Sequence, residues 1–158
     1  MRSVLALAVA LSVLGIGVAH AKNEGTLPKG AVRMTSQQVA EVFAGRTVIF
    51  TGASYYFDRK GNVVGISPKK DGFAVGKWGV KDNEFCFVVD WRGADKSQKP
   101  FHFRWCNQLW LANDVVWSKE TAGEERYRGN IYTGLTDRLH PGDSIGAQVR
   151  AVSKKWGY

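Results

Sequence analysis

The sequence predicts a mainly β fold: an antiparallel up-and-down β-barrel of about eight strands with one short N-terminal helix. Three observations lead there. A single segment, MTSQQVAEVFAGR, combines a helical apolar stripe with helix-ending signals. After Gly45, short β-branched and aromatic runs recur between turn signals. Glycines fall inside those runs as well as between them, which suits the bends and bulges of a curved sheet. A two-sheet sandwich is the competing architecture.

The chain opens MRSVLALAVALSVLGIGVAHA. Arg2 precedes an apolar run from Val4 to Val18, and Ala19-His20-Ala21 closes it with small residues. That is the layout of a cleaved secretory signal, and the run is short for a membrane span. An uncleaved anchor is the alternative. No lipobox cysteine follows. The expected organisation is a signal peptide at 1–21, a flexible polar lead at 22–34 containing KNEGTLPK, and one β-barrel domain at 35–158. The expected location is periplasmic or secreted, after cleavage near Ala21.

Thr35 with Gln38 fits a capping box, Val39, Val42 and Phe43 form the apolar stripe, and Gly45 is a natural C-terminal stop. A helix this short is marginal alone and must lie on something apolar. The strand-like runs are TVIFTG, SYYFD, NVVGIS, GFAVGKWGV, EFCFVVDW, PFHFRWC, LWLANDVVW, ERYRGNIYTG and SIGAQVRAV. Turn chemistry separates them at Arg59-Lys60-Gly61, Lys81-Asp82-Asn83, Gly93-Ala94-Asp95 and His140-Pro141-Gly142-Asp143.

EFCFVVDW and PFHFRWC hold both cysteines, Cys86 and Cys106. Paired as antiparallel neighbours joined by RGADKSQK, they have one register that aligns their faces. Cys86 opposes Cys106, Val88 opposes Arg104, and Asp90 opposes His102. On the other face Phe87 meets Trp105, Val89 meets Phe103, and Trp91 meets Phe101. Opposed Cα atoms lie about 4.5–5.5 Å apart, within disulfide range. A disulfide is the expectation for two cysteines in an exported chain.

The same register opposes Cys/His chemistry. His102 and Cys106 would be separated by about 13 Å at about 3.3 Å per residue. A metal site is not expected either, because the chain has no C-x-x-C and no H-x-x-x-H. Asp90 facing His102, with Arg104 diagonal, is the one polar cluster on that face. It reads as a pH-sensitive binding spot or, more blandly, as a solvated ion pair.

Gly142-Asp143-Ser144-Ile145-Gly146 matches G-x-S-x-G, but no Asp, Glu or His follows Ser144 to complete a hydrolase triad. The stretch reads instead as a hairpin turn into a last strand. Most acids fall at turns or in the loop placed around Glu120, Glu124 and Glu125, so paired catalytic carboxylates are not expected. No P-loop or dinucleotide fingerprint occurs, and no cofactor is expected.

The net charge is +8, and +7 once Arg2 is removed with the leader. A basic exported protein meets anionic lipid or acidic polysaccharide before nucleic acid, which is not an expected partner. The aromatics are dense, and Trp78, Trp91 and Trp105 are read as barrel core or as the lining of a cavity for an apolar or sugar ligand. In the last stretch, Arg150, Lys154 and Lys155 stand beside Trp156 and Tyr158. That tail is a candidate contact for an anionic surface, or else its rings cover the barrel.

Three segments, VFAGRTV, YYFDRKGNVVG and VGKWGVKDNEFCF, give the chain a resemblance to a family of small exported alphaproteobacterial proteins. That family is classed as a domain of unknown function (domain of unknown function 995), and the last segment is similar to a step seen in lipocalin-like small barrels. The resemblance spans about Thr35 to Tyr132 and implies a periplasmic barrel with Trp78 and Cys86 in structural roles. It supplies no catalytic residues. Asn83-Glu84 stands where such proteins often carry glycine.

The functional expectation is a periplasmic, non-enzymatic β-barrel module that binds a small apolar or sugar ligand or an anionic cell-envelope component. Candidate ligand contacts are Asp90, His102, Arg104, Trp78, Trp91 and Trp105. The alternatives are an envelope hydrolase using Asp90 and His102, and an inhibitor of another protein. The sequence carries no signal for oligomeric state.

Overall fold

A computed structural model describes residues 25–158. The expected signal peptide at 1–21 therefore lies outside the described residues. The elements, in order, are β1 (Val32–Arg33), α1 (Ser36–Phe43), β2 (Arg46–Ile49), β3 (Ser54–Phe57), β4 (Asn62–Ile66), β5 (Phe73–Lys81) and β6 (Glu84–Arg92). They continue with β7 (Phe101–Ala112), β8 (Val115–Ala122), β9 (Ile131–Tyr132), β10 (Leu139–Pro141) and α2 (Gly146–Lys155).

All strand pairs are antiparallel, in the order β10-β2-β3-β4-β5-β6-β7-β8-β9. The sheet curls into a half-barrel, because rings on distant strands meet across its concave side. Phe57 of β3 lies 5.1 Å from Phe85 of β6, and Phe50 beyond β2 lies 5.7 Å from Trp105 of β7. The expected mainly β, antiparallel, lipocalin-like architecture is what forms. No helix among the described residues is long and apolar enough to cross a membrane.

Helix α1 closes the concave side. Its capping box forms as the sequence implies: the Thr35 hydroxyl accepts from the Gln38 backbone, and the Gln38 side chain accepts from the Thr35 N–H at 2.8 Å. Gly45 sits at φ 74°, the left-handed conformation that ends a helix without a side-chain clash. The buried face carries Val39 and Phe43, both fully inside. Phe43 stacks on Phe85 with ring centroids 3.6 Å apart, and Phe57, Phe85 and Phe87 complete a fully buried aromatic centre.

Three local readings are corrected. SIGAQVRAV is not a last strand but the body of α2. Ile145 and Val149 satisfy a two-residue alternation as well as a helical period, and Val152 and Trp156 decide for the helix. Asp143 is no hairpin residue; its carboxylate accepts from the Ile145 and Gly146 backbone N–H groups and starts α2. LWLANDVVW is two strands, since Asn113 and Asp114 both take positive φ, the pattern of a tight two-residue hairpin. Within the expected lead, Val32 and Arg33 form β1, which pairs with Leu111 and Trp110 on β7.

Helix α2 covers the convex side. Ile145, Val149 and Val152 bury against Ile66 and Phe73, making a second apolar cluster behind β4 and β5. The buried Thr47 hydroxyl ties its start to β2, donating to the Gly142 carbonyl at 2.8 Å and accepting from the Ser144 N–H at 3.1 Å. The sheet is thus sandwiched between two short helices, neither stable alone.

Phe43→Ala should destabilise the fold by about 3–5 kcal/mol, since the lost ring leaves a cavity between α1 and Phe85. Urea unfolding measures it. A loss below about 0.5 kcal/mol, the scale of surface sites, would show that α1 is not part of the core.

Candidate functional site

The β6–β7 pair has the register the sequence implies. Cys86 opposes Cys106, Val88 opposes Arg104, Asp90 opposes His102, and Phe87, Val89 and Trp91 oppose Trp105, Phe103 and Phe101. Cys86 and Cys106 are joined as a disulfide. Glu84 stands close enough to both sulfurs to form a three-donor group with them. A disulfide sulfur lacks the thiolate charge that binds metal, so this group is a clamp.

The six candidate ligand contacts divide between the two faces. Asp90, His102 and Arg104 point outward. His102 Nδ1 lies 2.9 Å from Asp90 Oδ1, with 69% and 45% of the two side chains exposed. An ion pair so exposed contributes little. Arg104 does not join it; its Nε donates toward Cys106 Sγ at 3.3 Å. Trp78, Trp91 and Trp105 all point inward against the aromatic centre. Trp78 donates its indole N–H to the Asp58 carbonyl at 2.8 Å. These six residues cannot form one binding site.

Inside, β8 places a residue that the turn-and-loop reading missed. Glu120 lies on the strand opposite Asn107 and is only 6% exposed. Burial pushes its carboxyl above the ordinary glutamate value, against a hydrogen bond from the Trp105 indole. The Nδ2 of Asn107 is buried beside it without a partner. Starting β8 at the Asn113-Asp114 turn and counting Val116, Ser118, Glu120 inward is the signal that finds it.

The third feature is a rim where the β4–β5 turn (67–72), the β6–β7 loop (93–100) and the end of α2 converge. Trp156 and Tyr158 both pack on Phe73, with centroids 6.0 and 5.3 Å away. Arg92 and Lys96 flank the Tyr158 ring at 5.4 and 5.3 Å, and Lys96 Nζ donates to the Gly157 carbonyl. The tail rings therefore cover the convex apolar cluster, while Arg150, Lys154 and Lys155 stay exposed.

The segments that converge here, the β4–β5 turn, Arg92 with the β6–β7 loop, and α2 with the tail, carry Lys69, Lys70, Arg92, Lys96, Lys99, Arg150, Lys154 and Lys155 against Asp71 and Asp95 alone. Without Arg2, Lys22 and Glu24, the described residues carry a net +7, and six of those charges lie here. None of the eight cations is in an ion pair among the described residues. Neither acid offsets them at close range. Asp71 accepts from the Ser67 hydroxyl at 2.6 Å, and the Ser97 hydroxyl and backbone N–H hold the Asp95 carboxyl below its usual range.

A curled antiparallel half-barrel with a packed interior, a disulfide-clamped wall and one cationic rim defines a small β-barrel-like protein. The family described as a protein of unknown function (DUF995) matches residues 9–134, and the chain belongs to it. No curated protein and no solved structure matches. Residues 135–158, which hold β10, α2 and the tail of the rim, lie beyond the matched span.

Glu120→Gln should stabilise the protein at neutral pH. A carboxyl whose folded pKa is raised favours the fold below its unfolded value and loses that contribution as pH rises through the folded value. Chemical denaturation at about pH 7 should favour the variant, and the two proteins should converge near about pH 4, below the ordinary glutamate value. A pH-independent difference would show that the Glu120 carboxyl is not desolvated.

Proposed function

We propose that this protein is an exported, non-enzymatic binding module that holds an anionic polymer of the cell envelope on its cationic rim. The observation that carries this reading is the segregation of charge: six of seven net positive charges lie in three segments that meet at one end of the sheet, and none of their cations has a carboxylate partner among the described residues. Leaving eight cations without carboxylate partners costs self-repulsion, which an anionic ligand relieves. The disulfide supports export, because such bonds persist in oxidising compartments.

A polymer fits better than a membrane surface. Trp156 and Tyr158, the tail rings that would enter an interface, pack on Phe73 instead. A ligand on the outside also fits better than one within the barrel, since Phe43, Phe57, Phe85 and Phe87 fill the interior. The Asp90–His102 pair is largely open to solvent, so it lines no enclosed cleft that would orient a substrate bond for hydrolysis.

Retention on immobilised alginate tests this. The protein should bind at low salt, elute as salt screens the charges, and ignore neutral dextran. Lys154→Ala with Lys155→Ala should weaken binding about thirtyfold, at about 1 kcal/mol per cation near an anionic surface. Salt-insensitive binding, or equal retention on dextran, would overturn the proposal.

A further inference from the structure

Beside the rim charges lies a shallow cavity of about 250 Å³, walled by Asp71, Trp91, Arg92, Lys99, Phe101 and Tyr158. We infer that this cavity is a subsite for one acidic sugar unit, a carboxylate-bearing ring within the anionic polymer. The inference rests on the rim reading and adds what the rim alone lacks, selectivity for a sugar over other polyanions.

Size comes first. Sites for drug-sized molecules occupy about 300–1,000 Å³, so this one suits a single ring. Its walls are rigid where a ring would lie. Trp91 is anchored from below: its ring meets Tyr55 at 5.8 Å, its indole hydrogen bonds the Tyr55 hydroxyl, and burial pushes that hydroxyl up to about 12. The Tyr158 ring is fixed by Phe73, Arg92 and Lys96. Phe101 is 66% exposed although its ring stacks on Phe103 at 6.5 Å, so one face of it stays open to a ligand. A sugar presents an apolar C–H face whose positive edges suit the negative face of such a ring.

The polar groups point to charge on that sugar. Arg92 has no carboxylate partner among the described residues, and its Nε is buried without a hydrogen-bond partner. Its planar guanidinium matches a carboxylate through two parallel hydrogen bonds. Lys99 adds a second cation, and Asp71 and Gln98 offer groups for ring hydroxyls. A phosphate chain without rings would use the cations and leave Phe101 and Asp71 idle.

Isothermal titration with three probes tests this: tetragalacturonate, its methyl ester, and polyphosphate of matched charge. Wild type should prefer tetragalacturonate over polyphosphate by about tenfold and lose that margin with the ester. Phe101→Ala removes no rim cation, so it should abolish the preference while polyphosphate binding stays within about twofold, and Arg92→Lys should likewise abolish the preference. Unchanged circular dichroism and Tm show that the variants remain folded. Equal binding of both anions by wild type, an ester that binds as well as the acid, or variants that keep the preference would each overturn the subsite and leave the rim reading standing. Binding of neither anionic probe would overturn both.

Discussion

The antiparallel pairing of β6 with β7 is the constraint on which the rest of this structure depends. Side chains on a strand alternate with a period of two, so a slip of one residue would send every side chain to the wrong face. In the observed register Phe85, Phe87 and Val89 point inward with Phe103 and Trp105, and Cys86 and Asp90 point outward with Cys106 and His102. The disulfide fixes that choice covalently. It closes a loop between residues 20 apart in sequence, worth about 3 kcal/mol in the chain-entropy model.

From that register the two layers follow. The inward rings create the apolar surface that α1 needs, and Phe43 settles on Phe85. The convex side is polar along β6 and β7 but apolar at Ile66 and Phe73, so α2 lies there and brings its C-terminal cations with it. The rim is a consequence of the same geometry. The β4–β5 turn, the β6–β7 loop and the end of α2 all reach the end of the sheet where Phe73 and Arg92 pair.

Some of this was legible in the sequence for identifiable reasons. The β6–β7 register could be read because two cysteines and two aromatic ladders agree on one alignment, and the α1 capping box because Thr35 and Gln38 stand at the required spacing. Helix α2 was not legible as a helix, since Ile145 and Val149 fit both periods and Trp156 decides only once Phe73 is seen beneath it. Glu120 was hidden by the Asn113-Asp114 turn, which lies inside an apparently continuous apolar run. The rim was hidden more deeply. Lys69, Arg92 and Lys154 are far apart in sequence, and only the sheet order brings their segments together.

The two cysteines are joined to each other and clamp one wall of the sheet, which leaves no thiolate for reaction or metal binding. Thiol titration of the denatured, unreduced protein, with mass analysis of its peptides, tests this most directly. No free thiol should appear, and one linked peptide pair should carry Cys86 and Cys106. Two titratable thiols in the natively produced protein would contradict it.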